Sequence, residues 1–144
     1  MSVELAVLLA NTAATWFMCG VIWFVQLVHY PLFARYARDD FRATMLDHQR
    51  RTGRVVAGPM LVEFVTAVAV VVCVRDSPLP WIGVALVGVW VYCTALVQIP
   101  LHNQLTASGF DSETHTRLVH ANWIRVVAWT ARAALSGWLL AGGR

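Results

Sequence analysis

Charge is what this 144-residue chain has least of: Asp, Glu, Lys and Arg together make up 13% of it, and lysine does not occur. With 58% hydrophobic residues, it falls well short of the roughly 25% charge that covers a water-soluble domain. Its three cysteines, Cys19, Cys73 and Cys93, are odd in number and lie singly inside apolar runs. That excludes a disulfide framework and a zinc knuckle. The motifs H-E-x-x-H, H-x-x-E-H, E-x-x-H, G-x-S-x-G, G-x-G-x-x-G and the P-loop are also absent, which sets soluble nucleotide and cofactor chemistry aside.

What the chain does have is long apolar runs. Residues 5–34 are thirty positions without a charged side chain and 77–110 are thirty-four. Each exceeds the ~20 residues of a spanning helix. Residues 55–74, interrupted by Glu63, and 118–143, interrupted by Arg125 and Arg132, still read as spans. Stretches such as "TAVAVVVCV" lack the polar face that a soluble helix shows at its 3.6-residue period. The expected fold is all-α: one integral membrane domain, a four-transmembrane-helix bundle with spans at roughly 5–34, 55–74, 81–102 and 118–141. The first run has no basic leader and no small-residue cleavage site, so it is expected to remain in the protein.

All eleven basic residues are arginine, and Arg35, Arg38, Arg42, Arg50, Arg51 and Arg54 fall between the first two spans. The positive-inside rule makes that connection cytoplasmic and puts both termini on the non-cytoplasmic side. No aromatic interleaving or reading module accompanies these arginines, so the expected partner is the lipid bilayer and not nucleic acid. Asp39 and Asp40 signal a helix start, Pro59 is expected to kink the second span, and Asp111 with Glu113 reads as the cap of the fourth helix.

"VQLVHYPLF" (25–33) near the end of span 1 is echoed by "VQIPLHNQL" (97–105) near the end of span 3. Each has Val-Gln, then a histidine three or four residues on, and a proline nearby. The expected arrangement is two parallel helical-hairpin repeats, 1+2 and 3+4.

Ionisable groups cost about 2.5–3.5 kcal/mol each at the centre of a spanning helix, so they face inward and pair. Counted from Arg54 and Arg117, Glu63 and Arg125 lie at similar depth, which predicts a Glu63–Arg125 pair; Arg132 is left to share Glu63, to snorkel or to meet an anion. Asn122, Arg125, Trp129 and Arg132 form one stripe on helix 4. Gln26, His29, Gln98 and His102 bring polar groups from helices 1 and 3 to the same cytoplasmic half. His29, His48, His102 and His120, one on each helix, are the candidate metal ligands; His115 is expected in solvent. Interhelical hydrogen bonding explains such residues equally well one at a time. It is their convergence that points to a site. Two histidines from facing helices suit haem, His29 and His102 being the repeat-related pair, and three or four suit iron, copper or zinc.

"GVIWFVQLVHYPLF", "RRTGRVVAGPMLVEF", "VQIPLHNQL" and "LVHANWIRVVAWTAR" together resemble a family of small bacterial four-span integral membrane proteins. The resemblance covers nearly the whole chain; it implies the fold and a place in the bacterial inner (plasma) membrane, and leaves the activity open. More distantly, "TWFMCGVIWFVQLVHYPLF" is similar to the first histidine-bearing helix of the haem-dependent bacterial protoporphyrinogen oxidases, whose second ligand is a lysine, a residue type absent here. The anthrone-oxygenase-like membrane proteins are a third comparison.

The expected function is a membrane-embedded oxidoreductase-type enzyme with a haem or transition-metal site near the cytoplasmic leaflet, acting on an apolar, quinone-like or porphyrin-like substrate. Glu63 would handle protons, Arg125 and Asn122 would orient substrate, and Gln26, Gln98 and Arg132 would support the cofactor. The alternatives are a proton, ion or solute carrier using Glu63, Arg125 and Arg132, alone or as a homo-oligomer, and a structural membrane subunit.

Overall fold

The computed structural model describes residues 1–36 and 38–143 and forms an up-down-up-down bundle of four helical rods. They are α1 (Val3–Arg35), α2 (Phe41–Cys73), α3 (Leu79–Ser108) and α4 (Ser112–Leu140). The ends are set by local chemistry. The Ser2 hydroxyl accepts from the Leu5 N–H, and the Asp111 carboxylate accepts from the Thr114 N–H at 2.8 Å. Gly109, with φ +83°, turns the chain out of α3 in a conformation that side chains disfavour.

α1, α2 and α3 are long and apolar enough to cross a bilayer; α4, at 29 residues, has the length but not the apolarity, because its inward stripe carries Asn122, Arg125 and Arg132. α2 runs through Pro59 as a single helix. Its outer face leaves Leu61, Phe64, Val65, Val68 and Val72 exposed, a continuous apolar surface of the kind that lipid covers. Within the bundle α1 packs on α2 and α4, and α3 packs on the same two, so α2 and α4 face each other across the centre.

The echo between the first and third rods has a structural counterpart. Val25–His29 in α1 and Thr94–Gln98 in α3 are π-helical turns, in which Tyr30 N–H bonds to Val25 O and Ile99 N–H bonds to Thr94 O. A proline follows each turn at the same distance, Pro31 and Pro100. Proline has no N–H to give to the turn before it, and the widened π turn accommodates that gap in the ladder. The register differs from the Val-Gln alignment: the prolines match Gln98 with His29, not with Gln26.

Three apolar clusters are stacked along the bundle. Leu8, Val70, Val74 and Leu139 fill the end at the short 74–78 turn. Met18, Ile22, Val87, Trp90, Val126 and Trp129 fill the middle. Tyr30, Phe33, Phe41, Met45, Leu105 and Leu118 fill the end that carries the two longer connections.

Candidate functional site

Among the described residues, most of the buried polar side chains that bond between helices fall into two groups, not one. The first is centred on Glu63, which is fully buried. Its carboxylate accepts from Arg132 Nε at 3.1 Å, Trp129 Nε1 at 2.8 Å and Thr15 Oγ1 at 3.2 Å. Arg132 Nη2 also donates to Asn11 Oδ1 and Thr15 Oγ1, and Asn11 Nδ2 donates to Thr66. Every rod but α3 contributes to this network, and α3 contributes space. A Cβ at Gly83 would stand 2.7 Å from Arg132 Nη1.

Glu63 therefore pairs with Arg132, and the expected Glu63–Arg125 pair does not form. The error lay in measuring depth from Arg54 and Arg117 as though they marked one plane. Measured from the observed starts at Phe41 and Ser112, Glu63 and Arg132 stand roughly 33 and 30 Å along their helices, and Arg125 only roughly 20 Å.

The second group lies nearer the longer connections and clasps α4. Gln26 Nε2 donates to Val119 O, and Gln98 Nε2 donates to Leu118 O, each at 3.3 Å. The amide oxygens are used as well: Asn122 Nδ2 donates to Gln26 at 2.8 Å, and Tyr30 Oη donates to Gln98 at 3.2 Å. Arg125 Nη1 donates to Asn122 Oδ1 at 3.1 Å. So the two π turns deliver one glutamine each to consecutive carbonyls of the facing helix.

Three of the four expected histidines meet. His29 Nε2 lies 2.7 Å from His48 Nδ1, Thr52 Oγ1 is 3.0 Å from that same nitrogen, and the His48 and His102 rings stack with centroids 5.6 Å apart. His102 Nδ1 donates to Gln98 O at 2.8 Å, which fixes the tautomer and leaves Nε2 as an acceptor. His120 does not join them. It is exposed, two positions from both Leu118 and Asn122 and so on the opposite side of α4. The fifth histidine is nearer: His115 Nε2 donates to Tyr30 O at 2.8 Å. Seven residues before Asn122, it continues the polar stripe of α4, a signal present in the sequence.

This set does not fit haem. Phe33, fully buried, packs against His29, His48, His102 and His115 with ring centroids 5.0–6.4 Å away, filling the volume these rings surround. Nor do the described residues bring together three His, Cys, Asp or Glu side chains placed to hold a metal ion. The imidazoles hydrogen-bond and stack on one another instead.

His48, His102, Gln98, Tyr30 and Arg125 do share a cavity. It measures about 520 Å³ and lies between α2 and α3, with α1 as one wall and Arg125 of α4 reaching in. Gly53 and Ala57 keep α2 thin there, and Met18, Ile22, Val56, Met60 and Ile99 make most of the lining apolar. Apolar walls with a few convergent polar groups are the usual character of a small-molecule pocket, and the volume is in the range for one. Gln26, Asn122, Glu63, Arg132 and His120 do not line it; His29 lines a second groove on the other side of α2. Comparison with protein-family models, characterised proteins and solved structures finds no match. The functional reading rests on these residues.

Proposed function

We propose that the chain is a four-span membrane protein that takes an apolar small molecule from the bilayer into the pocket between α2 and α3 and exchanges protons with its polar end through His48 and His102. The observation that carries this is the juxtaposition in one 520 Å³ cavity of apolar walls with two imidazoles, a phenol and a guanidinium. His102 offers Nε2 to the pocket as an acceptor, and His48, also in the pocket, is hydrogen-bonded to His29 in the outer groove; that bond gives a proton route between pocket and surface. The arginines of the 35–54 region orient the pocket toward the cytoplasmic leaflet.

An oxidoreductase acting on a quinone-like ring is the enzyme class that suits such a site, since ring oxygens gain or lose protons as electrons move. The residues here supply binding and protons, and the electrons come from a partner or cofactor. The carrier reading gains less support, because Glu63 and Arg132 are satisfied by one another and by their neighbours, away from the cavity.

The test is titration of the protein in nanodiscs with a short-tailed benzoquinone, following binding, and then reduction of the bound quinone at an electrode through a mediator, following proton uptake with an indicator dye. Saturable binding coupled to a proton change is expected, with the proton change lost in His48→Gln and His102→Gln while binding persists. Absence of saturable binding, or proton exchange unaltered in both variants, overturns the proposal. Stoichiometric haem or metal in the purified protein would return the site to a cofactor-bearing one.

A further inference from the structure

Among the described residues, three buried side-chain polar atoms have no hydrogen-bond partner: Arg125 Nε, Thr94 Oγ1 and Trp90 Nε1. All three carry a hydrogen to donate, and they are neighbours. Trp90 is one helical turn before Thr94, its ring stacks on Trp129 at 5.0 Å, and the Arg125 guanidinium lies 5.2 Å from that same Trp129 ring. Arg125 and Thr94 both line the pocket. A group of donors without acceptors, beside a cavity, is what a ligand bringing acceptor oxygens would complete.

The charge points the same way. Arg125 is 8% exposed, and the groups that face it, Asn122, Tyr30, Cys93 and His102, carry no negative charge in their ordinary forms. Glu63, the one buried acid among the described residues, is bound to Arg132, Trp129 and Thr15. A buried guanidinium without a counter-charge is costly, and its pairing with an arriving anion is correspondingly strong. With Nη1 held by Asn122, the guanidinium keeps the edge bearing Nε, whose planar fork suits a carboxylate. Among the described residues no second arginine lines the cavity, so a singly charged head matches it better than a phosphate.

We infer that the pocket recognises a monocarboxylate on an apolar body, with Arg125 binding the carboxylate, Thr94 donating to it, and the apolar remainder lying along Met18, Ile22, Val56, Met60 and Ile99. This rests on the pocket reading above and adds a carboxylate to the apolar molecule that the pocket takes, whether its body is a ring or a chain.

The experiment compares decanoate, decanol and decyl phosphate on the protein in zwitterionic nanodiscs, by calorimetry. Decanoate is expected to bind at least about tenfold more tightly than decanol, a difference of the size that charge-assisted bonds supply. Arg125→Gln should abolish that preference, bringing decanoate down to the affinity of decanol in the same variant, and Thr94→Val should reduce it several-fold. Should Arg125→Gln fail to fold, Arg125→Lys, which keeps the charge and loses the fork, is expected to weaken the preference. Equal binding of acid and alcohol by the wild type, tighter binding of decyl phosphate, or a preference that survives both Arg125 and Thr94 variants overturns the carboxylate assignment with the pocket intact. Binding of none of the three overturns the pocket as well.

Discussion

Arg132 reaches across the bundle from α4 to place Nε 3.1 Å from Oε1 of Glu63 on α2, with both side chains buried. These helices face each other over the centre, so this pair joins rods that α1 and α3 otherwise hold apart. Breaking a buried pair by removing one partner leaves the other charge unmatched, at a cost of about 3–5 kcal/mol. Glu63→Ala and Arg132→Met are each expected to lose stability in that range, and the double variant much less than their sum. Denaturation in mixed micelles gives the coupling. Additive losses would contradict the pairing.

Gly83 is the space in α3 that Arg132 occupies. A methyl group there forces the guanidinium out of its seat, so Gly83→Ala is expected to cost about 1–3 kcal/mol, the usual penalty for overpacking. In an Arg132→Met background the penalty should shrink. A full penalty in both backgrounds would trace it to something other than Arg132.

Gln26 and Gln98 hold adjacent carbonyls of α4. Hydrogen bonds between membrane helices are worth about 0.6 kcal/mol on average and up to about 1.7. Gln26→Leu also strands the Asn122 amide and is expected at the upper end of that range; Gln98→Leu, which strands the Tyr30 hydroxyl, should be similar. Double-mutant cycles of Gln26 with Asn122 and of Gln98 with Tyr30 should both return coupling, and cycles crossing the two pairs should return little.

The Asp111 cap gives a pH signature outside the membrane. The Thr114 side chain, then its backbone N–H, hold the carboxyl below its ordinary value. A group whose folded value is depressed stabilises the protein above its unfolded value and loses that contribution as pH falls through the folded one. The wild type should therefore lose stability on acidification that Asp111→Asn has in part already lost. Parallel acid profiles for the two would contradict the cap.

The helices were legible in the sequence because apolar runs and caps are local. Asp111 and the aspartates before Phe41 marked starts that the structure keeps. Pairing between helices was less legible, since it depends on relative register: an arginine taken as a membrane marker misplaced Glu63 against Arg125 by two turns. Of the four histidines, His120 stands apart from the other three for angular reasons. His120 has the right depth and the wrong face, and His115 lies on the stripe that already held Asn122 and Arg125. Neither the π turns nor the filling of the histidine cluster by Phe33 could be read from composition. The prolines that accompany both turns were visible, but the Val-Gln pairs gave a competing register.

The central claim is that the cavity between α2 and α3 admits a molecule from the bilayer, and Ala57 tests it most directly because it lines the wall with a side chain that can make no hydrogen bond. Tryptophan quenching by a short-tailed benzoquinone in nanodiscs should saturate for the wild type, with quencher held in the pocket. In Ala57→Phe, whose ring projects from the wall into the cavity and narrows it, saturable quenching should weaken toward the linear quenching of quinone dissolved in lipid. Saturable quenching that persists undiminished in Ala57→Phe, or linear quenching in the wild type, would contradict the account.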